Sequence, residues 1–507
     1  MAVLGELLRH RARISPDLEA LVYGNYRFTF REYNERVNQL ANYLLQNQVG
    51  KGDRIAILLK NSYPFPIIYM AAAKIGAITV PINYRVKTDE LRRILEDCSP
   101  AVLFYDGDFE QVLPLIGELP FLKQAICVEK GDRIQPVFEE LFVGSTEEPR
   151  VDLLETDPAL LIYTSGTTGR PKGVVCSHGS LFSSTITNCT TLDLRYKDRF
   201  LFITPLFHIS GMTFIIGALF RGITLLLSNQ FHPVKIWEYL NAERITGMMS
   251  VPSMLSFMVE VVKAQEIDFP SLRMILCGGS SVPESHIRQM AELGYPVAQV
   301  YGATEYSGAI TYWTPDMGLE NCASVGKAVN LTELKIIDPR TGETLPPGEI
   351  GEIVCRGPLT FSGYWNMPEE TEKVLKKGWY HTQDVGYMDE NGFLYIVDRL
   401  RDMIIVSGEN VFPAQVEAVL SKHEQVAEVA VVGVKHSVWG ELARGYVVLK
   451  EGATITEEEL LEYARKHVPI HYLHEVVFVE QLPKNGMGKV MKYILREHAN
   501  REAQTTN

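Results

Sequence analysis

The sequence predicts an α/β fold in which parallel, doubly wound sheets make up the larger part of the chain. Three observations support this prediction. Short apolar strands alternate with helix-like stretches from about Asp53, strands punctuated by glycine and proline follow about Asn321, and a smaller mixed unit begins at about Arg401. At 507 residues the chain is too long for one compact core, so we expect about two to four packed units.

The first pattern begins with a strand (RIAILL), an alanine-rich helix (PIIYMAAAKIGA) and a second strand (ITVPIN). This order is typical of a βαβ unit. Short apolar or β-branched segments of the same kind recur as AVLFY, QAICV, LLIYT, ITLLL, MILCG and VAQVY. Their repetition, each followed by a helical or loop signal, predicts doubly wound parallel sheets.

The other two patterns lack this regular alternation of strand and helix. The segments LKIID, GEIVCRG and FLYIVD predict an antiparallel, barrel-like region. The last 107 residues predict an α+β unit with the order helix (AQVEAVLSKH), strands (VAEVAVVGV and RGYVVLK), helix (TEEELLEYARKHV), strand (VVFVEQL) and terminal helix (KVMKYILREHA).

Composition excludes several classes of protein but names no function. Hydrophobic residues at 46% and charged residues at 22% are typical of globular proteins and exclude disordered, collagenous and disulfide-scaffold chains. The net charge of −13, without a basic stripe, argues against a nucleic-acid partner. The seven cysteines never form a C-x-x-C pair, and the N-terminus does not resemble a secretory signal. We therefore expect a reduced, cytoplasmic location.

One apolar segment, residues 201–220, is nearly long enough to span a bilayer. It contains Pro205, His208 and Ser210 and is followed by Arg221, and it lies among strand-like and helix-like segments. We therefore expect it to be buried core and predict no transmembrane segment. Peripheral contact with a membrane stays open, as does the choice between a monomer and a homodimer.

The strongest motif in the chain is YTSGTTGRPKG, residues 163–173. It joins a predicted strand to a loop that contains three glycines, four hydroxyl residues and two cations. Backbone N–H groups of such a loop can turn inward toward phosphate, and Lys172 or Arg170 can neutralise its charge. A Walker motif requires Ser or Thr after the lysine, whereas Gly173 follows Lys172, which argues against kinases and GTPases. The alternative for the loop alone is a polar surface turn.

Further motifs follow in a fixed order along the chain. They are PLFH (205–208), CGGSS (277–281), QVYGATE (299–305), GEIGE (348–352), WYHTQD (379–384), DRLRDMI (398–404), SGEN (407–410) and LPKNGMGK (482–489). Together with the loop at 163–173, this series resembles the adenylate-forming superfamily of acyl-CoA synthetases, nonribosomal peptide adenylation domains and firefly-type luciferases. Within that superfamily the chain is most like a fatty or aromatic acid CoA ligase.

The resemblance implies a fold and an activity. It implies a large N-terminal domain over residues 1–400, with two doubly wound sheets and a distorted antiparallel β-barrel, and a mobile, small α+β C-terminal domain over residues 401–507. The implied reaction joins a carboxylic acid to CoA through an acyl-adenylate, using ATP and Mg²⁺ and releasing AMP and pyrophosphate. The rotation of the C-terminal domain between the two steps would have its hinge at Arg401.

The resemblance also implies which residues bind ATP. The phosphate loop would hold the β- and γ-phosphates through Thr164, Ser165, Gly166, Thr167, Thr168, Gly169 and Lys172. The adenine would stack on Tyr301, with Gly279 and Ser280 opposite and Gly302 beside it. Thr304 would contact the α-phosphate, and Glu305 would be the Mg²⁺ ligand. Asp384 and Arg399 would bind the ribose, and Lys489 would be the catalytic cation between the carboxylate and the α-phosphate.

For the acid and for CoA the implied residues are fewer. His208 would gate the acyl pocket, although a lone histidine in an apolar segment is usually a core residue. Gly408 would line the pantetheine tunnel, and Trp439 would stack on the CoA adenine, with a partly buried core indole as the equal alternative. The acyl pocket would draw on a mostly apolar set: Phe207, His208, Met212, Met248, Met249, Val300, Gly302 and residues 307–309.

Two segments depart from the family pattern, the first at one residue and the second at two. Gln383 stands where a glycine usually precedes the ribose-binding aspartate, and His471 and Leu473 replace the usual Lys and Pro before the last strand, where CoA phosphate contacts are expected. The apolar pocket favours a medium- or long-chain fatty acid. Three alternatives stay open: an aromatic acid, an adenylation enzyme that loads a carrier protein, and a luciferase-like oxygenase.

Overall fold

A computed structural model describes residues 3–110, 114, 119–130, 133–164, 171–264, 271–406, 409–436, 440–469, 472–484 and 490–505. In chain order its helices are α1 (Leu4–Ile14), α2 (Phe30–Gln46), α3 (Pro64–Ile75), α4 (Thr88–Cys98), α5 (Pro136–Glu139), α6 (His178–Thr191), α7 (Ile209–Arg221), α8 (Lys235–Ala242), α9 (Pro252–Ala264), α10 (Glu284–Glu292), α11 (Pro368–Val374), α12 (Pro413–Leu420), α13 (Glu457–Arg465) and α14 (Lys492–Thr505).

The strands, in chain order, are β1 (Glu19–Tyr23), β2 (Tyr26–Thr29), β3 (Arg54–Leu58), β4 (Ile78–Pro81), β5 (Val102–Asp106), β6 (Gln124–Lys130), β7 (Arg133–Ile134), β8 (Pro158–Thr164), β9 (Lys172–Ser177), β10 (Arg199–Phe202), β11 (Thr224–Leu227), β12 (Gly247–Ser250), β13 (Met274–Gly278), β14 (Val297–Ala303), β15 (Gly308–Trp313), β16 (Lys327–Ala328), β17 (Glu333–Ile337), β18 (Gly351–Arg356), β19 (Gly363–Tyr364), β20 (Leu375–Lys376), β21 (Trp379–Met388), β22 (Leu394–Arg399), β23 (Ile404–Val406), β24 (Glu409–Val411), β25 (Val426–His436), β26 (Gly440–Leu449) and β27 (Glu475–Phe478).

The chain divides into two compact units. The first contains residues 1–334, 355–380 and 392–394, and the second contains residues 335–354, 381–391 and 395–507. The predicted domain boundary between residues 400 and 401 stays a prediction.

Two large sheets form the first unit. The nine-stranded sheet has the order β16-β15-β14-β13-β12-β10-β11-β1-β2, and the eight-stranded sheet has the order β19-β9-β8-β4-β3-β5-β6-β7. The strands from β14 to β1 are parallel to one another, as are those from β8 to β6. Antiparallel strands lie at the edges. The predicted pair of doubly wound sheets is confirmed.

The parallel strands read as continuous apolar segments because helices cover both faces of these sheets. Helix α3 shows the consequence, since every one of its residues is buried. Its one charged residue, Lys74, directs its ammonium group to Asn34 Oδ1 (2.7 Å) and Asn38 Oδ1 (2.6 Å) and also pairs with Glu148. Burial of the ammonium group lowers the pKa of Lys74, and these acceptors offset part of that cost.

The barrel-like region predicted after about Asn321 is a five-stranded sheet. Its order is β17-β18-β21-β20, with β22 paired to β21. Strands β17, β18, β21 and β22 each contribute residues to both units.

The C-terminal part of the second unit is built on a sheet of order β24-β23-β26-β25, with β27 parallel to β26. Alternate residues of β25 enter different cores: Val431 packs with the apolar residues of α12 and α13, whereas Val432 packs with Leu495 and Ala499 of α14. Helices therefore cover both faces of this sheet, and the predicted α+β arrangement is confirmed.

Residues 201–220 lie in β10, the connection after it and α7. The side chains of Met212, Ile215 and Ile216 are almost completely buried in the core of the first unit. The expectation that this segment is core is confirmed. In the part of the chain that the structure describes, no helix is both long and apolar enough to cross a membrane.

The hairpin formed by β14 and β15 positions a 3-10 turn, Thr304–Tyr306, at the end of the parallel strands. A β-bulge interrupts the pairing between Tyr301 and Gly302. A Cβ atom added at Gly302 would lie 2.1 Å from the carbonyl oxygen of Gly308, so the backbone fills the space that a side chain would need.

We expect Gly302→Ala to destabilise the first unit by about 2 kcal/mol, because the new methyl group forces the hairpin apart. Gly217 in α7 is the matched control, since a Cβ added there meets only Cys189 Sγ at an ordinary 3.7 Å. Alanine has the higher helix propensity, so Gly217→Ala should be neutral or stabilising. Thermal melting of the purified proteins measures both changes. A Gly302→Ala protein with the same melting temperature as the wild type would contradict the close packing at the bulge.

Candidate functional site

Several predicted site residues of the first unit lie at the carboxyl ends of parallel strands. Gly279 and Ser280 follow β13, and the turn Thr304–Tyr306 follows β14, the neighbouring parallel strand. Thr164 is the last residue of β8 in the other sheet. In open α/β sheets, ligands bind at this edge.

The segment predicted to be a phosphate loop lies between two adjacent antiparallel strands, β8 and β9. Thr164 at the end of β8 pairs in register with Lys172 at the start of β9, so the chain turns back on itself between them. The next helix, α6, begins only at His178. In a Walker motif a helix follows the loop at once, so the strand after Lys172 supports the exclusion of that class.

Lys172 has two partners in the structure. Its Nζ lies 2.6 Å from Glu370 Oε2 and 5.1 Å from the centroid of the Tyr364 ring, a cation–π distance. Its side chain is only 15% exposed. The ammonium group is therefore held between an aromatic face and a carboxylate.

The segment 361–365 ties the strand of Lys172 to the turn that carries Glu305. Phe361 N donates to the backbone oxygen of Glu305 (2.9 Å), and Ser362 N donates to Val175 O (2.8 Å). Trp365 N donates to Gly173 O (2.7 Å). These backbone hydrogen bonds hold the turn of Glu305 and the strand of Lys172, β9, on either side of the short strand β19.

Tyr364, in that strand, contacts both candidate residues. Its hydroxyl donates to Glu305 Oε1 at 2.9 Å, while its ring lies against the Lys172 ammonium group. Burial, and next the charge of Glu305, raise the pKa of Tyr364 well above its ordinary value. The hydroxyl therefore remains a donor, and it leaves the other oxygen of Glu305 for a further partner.

Sequence reasoning missed both Tyr364 and Glu370. They belong to the segment GYWNMPEET, which carries no motif that points to chemistry. Nothing in their spacing predicts a contact with Lys172, because the contact spans almost two hundred positions of the chain and depends on the pairing of β19 with β9.

The residues predicted to contact adenine differ in how much space they leave. Gly279 has a φ of +85°, which favours glycine, and a Cβ added there would meet nothing within 4 Å. Gly279 and Ser280 are exposed, whereas Tyr301 is partly buried and packs against the main core. Gly302 has a structural reason to be glycine in the bulge described above, independent of any ligand.

His208 lies between the end of β10 and the start of α7, where it is the N-cap residue. The loop before it is fixed by the buried Asn61, which donates to Thr204 O (2.8 Å) and accepts from Leu206 N (2.8 Å). The Phe207 ring lies 4.4 Å from the His208 ring, and desolvation lowers the pKa of His208 to about 4. Asn61 therefore holds the loop that leads to His208, and the sequence did not reveal this role.

One feature of the expected acyl pocket is wrong. Met248 and Met249 are consecutive residues of β12, so their side chains point to opposite faces of the sheet. Met249 belongs to the same core cluster as Met212 and Phe207. Phe207 directly precedes His208 in the chain. Met248 therefore cannot line a pocket on that face.

In the second unit, Asp384 and Arg399 lie together. Arg399 Nε is 3.3 Å from Asp384 Oδ1, and the backbone N–H of Asp384 donates to Thr382 Oγ1 at 3.1 Å. The preceding residue, Gln383, has a φ of +61°, in the left-handed region that costs a non-glycine residue about 1–2 kcal/mol. The departure from glycine noted in the sequence therefore strains the backbone at the residue before Asp384.

Leu473, the other departure, is 1% exposed and belongs to the core with α12 and α13. It is a packing residue and not a surface for CoA phosphates. Several predicted site residues lie outside the described residues: Ser165, Gly166, Thr167, Thr168, Gly169, Gly408, Trp439, His471 and Lys489. Their roles stay predictions.

Comparison with known proteins bears on the whole chain. The family model of the AMP-binding enzyme matches residues 8–365, and that of the AMP-binding enzyme C-terminal domain matches residues 415–489. The putative acyl-CoA ligase YdaB of Bacillus subtilis is 38% identical over 98% of this chain and 99% of its own. The long-chain-fatty-acid–CoA ligase FadD13 of Mycobacterium tuberculosis is 36% identical, covering 98% of each chain.

Solved structures agree with these relatives. The O-succinylbenzoate coenzyme A synthetase MenE of Bacillus subtilis, in complex with ATP and magnesium ion, superposes with a TM-score of 0.84 at 31% identity. The match covers 97% of this chain and 98% of that one. A fatty acyl CoA synthetase of Mycobacterium tuberculosis gives a TM-score of 0.82 at 35% identity, with 99% of each chain covered.

The lowered pKa of His208 predicts its protonation state. Because burial disfavours the charged imidazole, we expect His208 to remain neutral down to a midpoint near pH 4. The folded pKa lies below the ordinary value of 6.5, so His208 should reduce stability as the pH falls from 6.5 toward 4. NMR titration of histidine-labelled protein measures the midpoint, with His208→Gln assigning the resonance. A midpoint at or above pH 6 would contradict this environment.

Proposed function

Because this chain belongs to the AMP-binding enzyme family and is an AMP-forming acid–thiol ligase, we propose that its acid substrate is a medium- or long-chain fatty acid. The chain activates the acid with ATP as an acyl-adenylate, releases pyrophosphate, and passes the acyl group to the thiol of CoA, releasing AMP. The observation that carries the proposal is the apolar surroundings of His208, where Phe207 and Met212 belong to the buried core.

The first step brings two anions together, since a carboxylate attacks the α-phosphorus of ATP. Positioned cations lower this barrier by stabilising the charge that develops on the phosphates. We assign Lys172 and the phosphate loop to the β- and γ-phosphates, Thr304 to the α-phosphate and Lys489 to the carboxylate and the α-phosphate. The largely buried ammonium group of Lys172, held on the Tyr364 ring, supports this assignment.

A magnesium ion fits the residues at Glu305. Mg²⁺ keeps several waters and is usually bound through one or two carboxylates and substrate phosphates. Glu305 supplies one carboxylate, oriented by the Tyr364 hydroxyl at 2.9 Å through Oε1. Among the described residues no group of three or more His, Cys, Asp or Glu side chains is placed so that it could hold a metal ion by itself. When bound, the ion would neutralise charge on the leaving pyrophosphate.

Binding of the nucleoside is assigned to residues that match the family motifs. Tyr301 offers an aromatic face for the adenine, and the open space beside Gly279 leaves its backbone accessible to the ring. Asp384 accepts hydrogen bonds from the ribose hydroxyls, and Arg399, already beside that carboxylate, donates to ribose or phosphate oxygens. For the second step we assign Gly408 to the pantetheine tunnel and Trp439 to the CoA adenine.

Different observations favour a fatty acid and an aromatic acid. The core around His208 is apolar, and FadD13, a relative over nearly the whole chain, is named for long-chain fatty acids. An aromatic acid is the second candidate, because the Tyr84 and Phe207 rings meet edge to face at 5.3 Å beside His208, an arrangement that also accepts a ring.

A screen of acids tests the substrate class. We expect kcat/KM for pyrophosphate release to rise with chain length across saturated acids, by up to about fourfold for each methylene that becomes buried. CoA should be consumed in equal amount. Aromatic acids of similar size should give lower values. A maximum with aromatic acids would replace the fatty acid in this proposal, and adenylate formation without CoA consumption would leave the carrier-protein or oxygenase alternatives.

The role of Lys489 has its own test. Lys489→Ala should lower the rate of adenylation by about 10²-fold or more, since it removes the cation at the reacting phosphate. Thioester formation from supplied acyl-adenylate should be less affected. The control is Lys484→Ala, which removes a lysine of the same segment that pairs with Glu428 at 2.7 Å. Equal losses in both half-reactions would contradict a role confined to the first step.

A further inference from the structure

The contact between Lys172 and Glu370 raises a question of charge. A cation assigned to the phosphates of ATP is already paired, at 2.6 Å, with a carboxylate of its own chain. Glu370 is also paired with Lys373 on the outer side of α11. The Lys172 ammonium cannot give its full charge to a phosphate while Glu370 accepts from it.

Glu370 is an ionised partner at every pH at which the protein would work. Its hydrogen bond to Lys172, and next its hydrogen bond to Lys373, lower the pKa of Glu370 to about 2. Its side chain is 29% exposed, against 15% for Lys172. The carboxylate can therefore turn toward water at little cost, whereas the ammonium is enclosed.

Lys172 does not depend on Glu370 for its position. Its ammonium group lies against the Tyr364 ring, and its backbone is paired in β9 with Thr164. The strand β19, which carries Tyr364, is itself paired with β9. Removal of the Glu370 charge should thus leave the lysine in the same place, with a freed positive charge.

From this geometry we infer that Glu370 occupies the place of a nucleotide phosphate on Lys172 and competes with the β- and γ-phosphates of ATP, so that it weakens ATP binding. The inference rests on the proposed assignment of Lys172 to those phosphates. It makes Glu370 a residue that sets the affinity for ATP, acting through Lys172 and not through contact with the reacting atoms.

The chain offers a close control for this inference. Glu369 precedes Glu370 in the first turn of α11 and carries the same charge, but it is exposed to solvent. Both glutamates interact with the same helix N-terminus. Comparing Glu369→Gln with Glu370→Gln therefore separates loss of the contact with Lys172 from loss of one negative charge on the surface.

The experiment is calorimetric binding of α,β-methylene-ATP, in which the bond broken during adenylation is blocked, to the full-length protein with excess Mg²⁺. We expect Glu370→Gln to lower the Kd about two- to fivefold, the range of a partly exposed ion pair. Glu369→Gln should leave the Kd unchanged. Adenosine, which lacks phosphates, should bind all three proteins equally.

Three results would overturn the inference. The first is an unchanged or weaker affinity of Glu370→Gln for α,β-methylene-ATP, which would make Glu370 an orienting partner of Lys172 or a structural residue of α11. The second is an equal gain for adenosine, and the third is an equal gain with Glu369→Gln. Failure of the wild type to bind α,β-methylene-ATP at all would instead refute the proposed function, and the inference with it.

Thermal melting of the same three proteins checks the fold. A Glu370→Gln protein that has the melting temperature of the wild type and binds α,β-methylene-ATP more tightly supports the inference. If Glu370→Gln melts lower, Glu370→Asp is the second variant, because it keeps the charge on α11 while shortening the reach to Lys172. A fall in Kd with Glu370→Asp supports the competition, and an unchanged or higher Kd overturns it.

Discussion

The site of the first unit depends on one side chain that touches a cation and an anion at once. Tyr364 places its ring against the Lys172 ammonium group and its hydroxyl on the Glu305 carboxylate. The Tyr364 hydroxyl gives Glu305 a hydrogen-bond donor, and the Tyr364 ring gives Lys172 an aromatic face beside the carboxylate of Glu370. The tyrosine therefore helps to fix the positions of both charged groups.

The backbone makes this arrangement rigid. Segment 361–365 bonds to Glu305 on one side and to Val175 and Gly173 on the other, so the phosphate-loop strand and the 3-10 turn after β14 are held together by main-chain hydrogen bonds. Neither large sheet alone contains the site of the first unit. Because β8 and β9 belong to one sheet and β14 to the other, the site exists only where a short strand links them.

Glycines at the site serve two different purposes, which the sequence cannot distinguish. Gly279 has a left-handed backbone and open space around it, so it suits close approach of a ligand. Gly302 has no space at all, because the backbone of Gly308 occupies the position of its missing Cβ. Both occur in segments that resemble family motifs, yet only the structure separates a glycine with open space around it from one needed by a bulge.

The sequence by itself determined the order of the elements, the two doubly wound sheets and the family, because periodicity, strand composition and motif order are local properties of the chain. It also identified Lys172 and Glu305, whose motifs are contiguous. The structure was needed to show that Met248 and Met249 lie in a strand and so face opposite ways, that Leu473 is core, and that Gln383 has a left-handed backbone. It alone brought Tyr364 and Glu370 to Lys172, since the pairing of β19 with β9 is a long-range contact that no local pattern encodes.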